Sequence, residues 1–202
     1  NGFALTNREV LDLKELPKTI VDMALKIKNN TWGKREKEFR VFDAKPHSNS
    51  YNWKYLMNVR QYSELQNPTG ISADNEYLLI FVGSELPDSI WMELAPVAGN
   101  MPRPLMTNVL TSGLNVVKIP DTEGDDRMLF IQYYVDTDSS ATSKKLADYP
   151  NVPIHIEGGY VNGYWDKGRH TDADWVDITR NHAKHKYMFI KGDYMMLFMN
   201  LS

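Results

Sequence analysis

The sequence has no cysteine among its 202 residues. Disulfide scaffolds, thiolate metal sites and cysteine nucleophiles are therefore excluded. The absence does not decide the compartment, because exported bacterial proteins can also lack disulfides. Composition alone therefore leaves the cellular location undecided.

The chain has no excess of positive charge and no long apolar run. It carries 23 Lys and Arg against 26 Asp and Glu, a net charge of -3. Nucleic-acid binders usually show a clustered basic excess, and the densest charged run here, residues 34–38, alternates in sign. We expect no nucleic-acid partner. No apolar stretch reaches the length of a membrane span, and residues 1–4 do not resemble a signal peptide. An exported parent would be trimmed before this start.

Catalytic motifs are also missing. The sequence contains neither a G-x-S-x-G nucleophile elbow nor a phosphate-binding glycine loop. A zinc hydrolase needs two histidines four residues apart with a glutamate between them, the H-E-x-x-H arrangement. His182 and His185 form the one close histidine pair, but their spacing is three and no glutamate separates them. We interpret that pair as a solvated helix end.

Two weaker arrangements of ligand-type residues remain. His155 and Glu157 are two apart on a predicted strand, so both side chains face one side, which fits a polar outer face or a carboxylate beside a histidine. Asp121, Glu123 and Asp125 surround a glycine in an acidic turn that is a weak calcium candidate. The EF-hand spacing is absent, and acidic β-turns are common.

The first thirty residues predict a helical segment. Thr6 and Glu9 have the spacing of a capping box. An apolar stripe follows at three- and four-residue steps, formed by Leu13, Leu16, Ile20, Met23 and Ile27. Pro17 either starts a second helix or kinks a single long one. A further short helix is predicted at residues 51–59.

The rest of the chain predicts short antiparallel strands. The strand-like runs are 39–42, 77–82, 90–94, 116–119, 128–135, 154–157, 187–190 and 194–198. Turn residues separate them at the spacing of a β-sandwich, and 67–70 (N-P-T-G) is one such turn signal. Residues 160–165 are predicted to pair back on 154–157 as a hairpin. Thr171 and Asp174 predict one late, capped helix.

The predicted fold is mainly β, of the α+β class: an antiparallel sandwich-like domain preceded by a small N-terminal helical segment. We divide the chain into residues 1–70, the helical segment and lead-in strand, and residues 71–202, the sandwich with the late helix. In the alternative division, residues 34–70 form one compact unit with the sandwich.

Three aromatic residues, Tyr160, Tyr164 and Trp165, cluster beside glycines in the predicted hairpin. Glycine leaves neighbouring rings uncovered, so the cluster is a candidate patch for stacking on a sugar or a peptide. The alternative is a glycine-rich hairpin whose rings are buried, which is the commoner fate of aromatic residues.

Several segments, taken in order and spacing, resemble the N-terminal portion of the enhancin-like, mucin-degrading zinc metallopeptidases, the peptidase M-sixty-like family. The segments are 39–42 (F-R-V-F), 62–63 (Y-S), 67–71 (N-P-T-G-I), 78–82, 110–115 (L-T-S-G-L-N), 131–134, 154–159 (I-H-I-E-G-G) and 162–165 (N-G-Y-W). The likeness covers roughly residues 34–200. Residues 6–30 match the pattern less clearly.

The resemblance implies a sandwich-like region that leads into a catalytic domain cleaving glycoproteins such as mucins. It implies catalytic residues in an H-E-x-x-H pair and a downstream glutamate, and no position of this chain matches them. We therefore expect the chain itself to be inactive and without a cofactor, and zinc to belong to a downstream catalytic domain. The implied partners are that domain and a host glycoprotein or glycan. The implied location is extracellular, or the bacterial cell surface or periplasm.

Two other functions remain open. The domain could bind a carbohydrate or glycoprotein independently, through the aromatic cluster. An enzyme of another class, built on carboxylates or His155, has less support.

Overall fold

The computed structural model describes residues 18–48, 66–83, 85–86, 91–98, 101–104, 107–121, 127–135, 145–193 and 196–201. Contacts within the chain divide it into two units, Asn1–Glu38 and Phe39–Ser202. The division of the chain after residue 70 stays a prediction. The same holds for the Thr6 capping box, Leu13, Leu16, Pro17 and the helix at 51–59, which lie outside the described residues.

Helix α1 spans Lys18–Asn29 and confirms the second half of the predicted apolar stripe. Met23 is its buried residue, and Ile20 and Ile27 are half-buried. Lys26 and Lys28 in the last turn favour the helix end, because cations are stabilising near a helix C-terminus. Asn30 then takes a left-handed φ of 51°, which ends the helix.

Helix α2 spans Lys34–Arg40 and passes directly into strand β1, Val41–Ala44. Residues 39 and 40 were predicted as strand, but they complete the helix, and the strand begins at Val41, two residues later than predicted. Arg40 is buried, and its guanidinium donates to three backbone carbonyls far along the chain, those of Ile156, Gly158 and Gly159. The alternation of residues 39–42 could not indicate these hydrogen bonds of Arg40, because their acceptors lie far along the chain.

The remaining elements are strands with one more helix. The strands are β2 (His47–Ser48), β3 (Pro68–Ala73), β4 (Tyr77–Val82), β5 (Trp91–Ala98), β6 (Met101–Pro104), β7 (Asn108–Val109), β8 (Gly113–Lys118), β9 (Arg127–Val135), β10 (Val152–Glu157), β11 (Tyr160–Val161), β12 (Trp165–Asp166), β13 (Tyr187–Lys191) and β14 (Met196–Asn200). Helix α3 is Asp172–Asp177, continued by a π turn, Ile178–His182, and a 3₁₀ turn lies at Leu146–Asp148.

The strands form three sheets. The first sheet has the order β1-β10-β4-β8, with every pair antiparallel. The second has the order β11-β3-β9-β5-β6, with β2 added to β9 and β7 to β5. The third has the order β12-β13-β14, and its antiparallel strands β13 and β14 correspond to the predicted strand runs 187–190 and 194–198. The prediction of a mainly antiparallel, sandwich-like α+β fold is confirmed.

A single apolar core joins residues from the first two sheets. Buried side chains alternate along β4 and β10, as in a pleated strand with one inward face, whereas β9 is buried on both of its faces over most of its length. Its members include Leu78, Ile80 and Val82 of β4, Ile154 and Ile156 of β10, and Leu129, Phe130, Ile131 and Tyr133 of β9. The Tyr133 hydroxyl donates to the Pro150 carbonyl at 2.9 Å.

Residues 68–70 belong to a strand, although 67–70 were predicted as a turn. Asn67 has a φ of 40°, and its amide bonds the backbone of Lys45 and Ile131. Strand β3 then starts at Pro68 and is irregular, because its register against β9 shifts between Pro68 and Ser72. Gly70, with a φ of 75°, lies in this bulge against the ring of Phe39.

The predicted hairpin of residues 160–165 with strand β10 is wrong. Strand β11 pairs with β3 of the second sheet, Tyr160 opposite Ser72. Gly158 and Gly159 have φ angles of 92° and 58°, and this left-handed pair turns the chain out of the first sheet. A side chain at Gly159 would meet the Ser72 carbonyl oxygen at 2.5 Å, so the second sheet approaches closely here.

Candidate functional site

Arg40 fixes the turn that carries the aromatic residues. Its Nη1 donates to the Gly158 carbonyl at 2.7 Å and to the Ile156 carbonyl at 3.2 Å, and Nη2 reaches the Gly159 carbonyl at 3.3 Å. The Glu76 carboxylate accepts from the Gly159 N–H at 3.1 Å. Hydrogen bonds to charged groups are stronger than neutral ones, so the positions of β10 and β11 are firmly coupled.

Tyr160 is half-buried and has a cation over its ring. The Lys184 ammonium lies 4.4 Å from the ring centroid, within the range of a cation–π contact. The Tyr160 hydroxyl is 3.3 Å from His185 Nε2, and the two rings are 29° from parallel. A ligand stacking on this face of Tyr160 would have to displace Lys184.

His185 is held by groups on two segments, β3 and residues 160–162. The Asn162 side-chain oxygen accepts from the N–H groups of Lys184 and His185, at 2.8 and 3.0 Å. Ser72 Oγ lies 2.5 Å from His185 Nε2 and 2.7 Å from the Arg127 carbonyl. That carbonyl can only accept, so the Ser72 hydrogen goes to it and the Ser72 oxygen accepts from Nε2–H. With a hydrogen on Nε2, this nitrogen has no lone pair for a metal.

Tyr164 belongs to the core, although we predicted it in a ligand-stacking patch. It is 5 % exposed, and its ring packs against Phe39 and Phe189 at centroid distances of 5.4 and 6.3 Å. Its hydroxyl accepts from Arg169 at 2.9 Å. A buried ring offers no free face for a sugar, so the structure gives Tyr164 a packing role.

Trp165 lies at an open pocket of about 200 Å³ that Asp172, Trp175 and Ile190 also line. The Trp165 and Trp175 rings are nearly perpendicular, 87° apart with centroids 6.3 Å from each other. The Trp165 Nε1 atom is buried without a hydrogen-bond partner in the described part of the chain. A ligand here would therefore meet the indole carbons of Trp165 and lie beside Asp172.

Helix α3 places Trp175 and Asp172 at this pocket. Thr171 caps the helix as predicted: its hydroxyl accepts from the Asp174 N–H at 3.3 Å, and the Asp174 carboxylate accepts from the Thr171 N–H at 2.9 Å. Trp175 is half-buried and Ile178 is fully buried. The spacing of Thr171 and Asp174 predicted this helix, but nothing in the sequence pattern placed Trp175 beside Trp165.

His155 and Glu157 lie on the same side of β10, as their spacing predicts. His155 Nε2 and Glu157 Oε1 are 3.0 Å apart, and the side chains are only 15 % and 12 % exposed. The Phe81 ring packs beside His155, with centroids 5.8 Å apart. The pair sits in the middle of the first sheet, between β1 and β4.

The histidines do not assemble a zinc site. All five are described: besides His155 and His185, His47 lies in β2, His182 in the π turn, and buried His170 accepts from the Asp166 N–H through Nδ1. Within the described residues, no three His, Cys, Asp or Glu side chains come together as metal ligands. These residues therefore do not fit zinc, and no catalytic step is assigned to a metal here.

The structure describes only Asp121 of the acidic turn that was predicted as a weak calcium site. Asp121 is exposed, whereas Glu123 and Asp125 lie outside the described residues. The calcium site stays a prediction. No helix in the described part of the chain is long and apolar enough to cross a membrane.

No protein-family model and no curated protein matches the sequence. Solved structures do match, and several of them are metallopeptidases. A metallopeptidase from Bacteroides thetaiotaomicron has 25% sequence identity and a TM-score of 0.73, over 98% of this chain and 32% of that chain. A metallopeptidase in complex with Tn antigen has 26% identity and a TM-score of 0.63, over 83% of this chain and 30% of that one.

A third similar structure is the M60 catalytic domain of ZmpC from Clostridium perfringens, in complex with the sialyl T antigen. Its TM-score is 0.50 at 14% identity, over 79% of this chain and 33% of that chain, so the likeness is one of fold alone. The chain thus has the fold of one region of these metallopeptidases. It spans about a third of the length of the metallopeptidases that it resembles.

Proposed function

We propose that this chain is a non-catalytic N-terminal region of a bacterial zinc metallopeptidase that acts on glycoproteins such as mucins. The observation that carries the proposal is the fold match over 98% of the chain to 32% of a metallopeptidase. The region supports the catalytic domain, and the enzyme works outside the cell or at its surface, where glycoproteins are found.

The chemistry of the residues supports a non-catalytic role. Zinc peptidases need two histidines one helical turn apart, a third ligand and a glutamate base. The sequence has no H-E-x-x-H. His182 and His185 are the closest pair, and the Nε2 of His185 is occupied by its hydrogen bond to Ser72. In this proposal, zinc and its ligands belong to further polypeptide of the same enzyme.

The test compares the 202-residue chain with the longest polypeptide encoded by the same reading frame. We expect the longer protein to cleave a mucin-type glycoprotein. Chelator should stop the cleavage, and added zinc should restore it, because the metal supplies the nucleophile. The 202-residue chain should leave the glycoprotein intact. Cleavage by the 202-residue chain alone would contradict the proposal, as would a longer protein that never cleaves.

The second candidate function is glycan binding at the pocket of Trp165, Asp172, Trp175 and Ile190. Two perpendicular indoles offer apolar surface to the C–H faces of a sugar ring, and the Asp172 carboxylate can accept from its hydroxyls. Two of the similar metallopeptidases were solved with glycan antigens, Tn and sialyl T. Trp165 keeps its predicted binding role in this proposal, and Trp175 joins it.

Titration of the chain with a Tn-bearing glycopeptide tests this candidate. Trp165→Ala should weaken binding at least about tenfold, equivalent to about 1.4 kcal/mol. The control is Val176→Ala, which changes an exposed residue of helix α3 that does not line the pocket. Absence of binding by the parent chain rejects the candidate. Equal losses in both variants also count against it.

A further inference from the structure

The outer face of the first sheet is apolar where an exposed sheet face would be polar. Its inner side chains lie in the core, whereas five outward side chains are Val41 of β1, Leu79 and Phe81 of β4, and Leu114 and Val116 of β8. Val41, Leu114 and Val116 are 46%, 45% and 61% exposed. We call these five residues, with His155 and Glu157, the outer face. Contiguous exposed apolar patches are unusual on isolated soluble proteins and mark interaction sites.

The sequence of β4 shows the same property. Residues 77–82 read Y-L-L-I-F-V, a continuous apolar run without polar alternation. An antiparallel strand with one solvated face alternates between apolar and polar residues, while a strand covered on both faces is apolar throughout. Strand β4 therefore has the composition of a strand covered on both faces, although its outward residues are not fully buried: Tyr77 is 66% exposed, and Leu79 and Phe81 are half-buried.

Strand register makes the outer face continuous. Val41 lies opposite His155, His155 opposite Phe81, and Phe81 opposite Leu114, which forms one row across all four strands. Directly opposite residues share a face and touch. In the next row, Glu157 lies opposite Leu79 and Leu79 opposite Val116.

The polar pair within the outer face is suited to being covered. His155 and Glu157 bond each other at 3.0 Å and are already mostly shielded from water. A buried polar group costs free energy mainly when it loses its hydrogen bond, and this pair keeps its own. Charged side chains mark the two edges instead, Asp43 on β1 and Lys118 on β8, both exposed. An apolar centre with a charged rim is the usual anatomy of an interface.

We propose that the outer face is the surface on which a further domain of the same polypeptide docks, and this inference rests on the proposed function. The choice of occupant rests on the difference in length. The structural match covers 98% of this chain but only 32% of the metallopeptidase from Bacteroides thetaiotaomicron, which therefore has much additional polypeptide. The docking domain presents an apolar patch to Val116 and Phe81, a cationic group opposite Asp43 and an anionic group near Lys118. Coverage of the outer face by that domain explains why β4 is apolar on both sides.

The 202 residues contain no cysteine, so a cysteine introduced here is the single thiol in this part of the polypeptide and allows an accessibility test. Val116→Cys places one thiol on the outer face. Val109→Cys is the matched control, because Val109 is 53% exposed and lies on β7 of the second sheet. Each variant is made in the 202-residue chain and in the longer polypeptide, and the rate of maleimide labelling is measured against the unsubstituted protein. Both changes remove an exposed side chain, so the fold should be retained and circular dichroism can verify it.

In the 202-residue chain, both thiols should label rapidly. In the longer polypeptide, we expect the V116C thiol to label at least about tenfold more slowly, because thiol reactivity requires access, while the V109C rate stays unchanged. Equal labelling of V116C in both proteins would overturn the proposal. Protection of V116C already in the 202-residue chain would also overturn it, and a dimer seen by sedimentation would then identify a second copy as the occupant.

The outcome separates docking from activity. A longer polypeptide that cleaves glycoprotein but leaves the V116C thiol reactive rejects docking and keeps the proposed function. One that protects the thiol but never cleaves glycoprotein keeps docking and rejects the proposed function.

Discussion

Gly70 and Gly113 both have left-handed φ angles, 75° and 86°, but their surroundings differ. A Cβ on Gly70 would lie 2.4 Å from Cδ1 of Phe39, whose side chain is 1% exposed. A Cβ on Gly113 would meet nothing within 4 Å. The two positions therefore separate the cost of the backbone conformation from the cost of a steric clash.

We expect Gly113→Ala to lower the free energy of unfolding by about 1–2 kcal/mol, the cost of a left-handed φ with a Cβ. Gly70→Ala should lower it by about 1–3 kcal/mol more, because the buried Phe39 ring must also move. Urea unfolding of both variants measures the difference. Equal losses would show that the Phe39 ring yields without cost.

His47 gives the fold a dependence on pH. Burial lowers the pKa of His47 below its ordinary value of 6.5, and the nearby positive charge of Lys191 lowers it further. The unfolded chain therefore binds a proton at this residue more readily than the folded chain does, so stability rises with pH in this range. The contribution is complete above the unfolded pKa and is lost as the pH falls from 6.5 towards the folded pKa.

The His47→Gln variant should remove this contribution. Between pH 7.5 and 5, we expect its urea midpoint to fall less than that of the parent chain, since glutamine does not titrate. The difference should grow as the pH decreases below the ordinary value of 6.5. Parallel midpoints across the series would show that His47 titrates equally in both states.

At the scale of elements, α3 depends on a local signal. Thr171 and Asp174 satisfy each other's N–H groups at the helix start. Thr171→Ala should therefore cost about 0.5–2 kcal/mol, whereas Thr171→Ser retains the hydroxyl and should cost less. Thermal unfolding of the two variants compares them. Identical melting temperatures for alanine and serine would contradict a capping role.

Elements with local signals were predictable from the sequence. The apolar steps of Ile20, Met23 and Ile27 predicted α1, and the spacing of Thr171 and Asp174 predicted α3. The strand runs β4, β9 and β10 were found because apolar and β-branched residues concentrate in strands. Each of these signals is complete within a few consecutive residues.

The pairing of β11 was not predictable in this way. Its neighbour, β3, lies almost ninety positions away, Tyr160 opposite Ser72. The choice depends on the left-handed turn at Gly158 and Gly159 and on the Arg40 hydrogen bonds that hold it. None of these contacts leaves a pattern in the sequence around Tyr160.

The surroundings of the aromatic residues Tyr164 and Trp165 were likewise not predictable from the sequence. Tyr164 and Trp165 are adjacent in sequence, but one is buried beside Phe39 and the other lines an open pocket. Successive residues of an extended chain face opposite sides, so adjacency did not mean a shared surface. The neighbour that completes the pocket, Trp175, comes from a different element.

At the scale of the whole molecule, the two faces of the first sheet differ in their surroundings. The inner face forms the core with the second sheet, whereas the outer face carries apolar side chains that stay exposed, among them Val41, Leu114 and Val116. A sheet of this composition belongs between two layers. The match to one third of several metallopeptidases agrees with a region that works in contact with further polypeptide.

The central claim is that this fold serves a glycoprotein-cleaving metallopeptidase without containing its active site. Cleavage of a mucin-type glycoprotein by the longer polypeptide and by the 202-residue chain, each with and without chelator, tests it most directly. The account predicts cleavage only by the longer polypeptide, lost with chelator and restored by zinc. Chelator-sensitive cleavage by the 202-residue chain alone would contradict it.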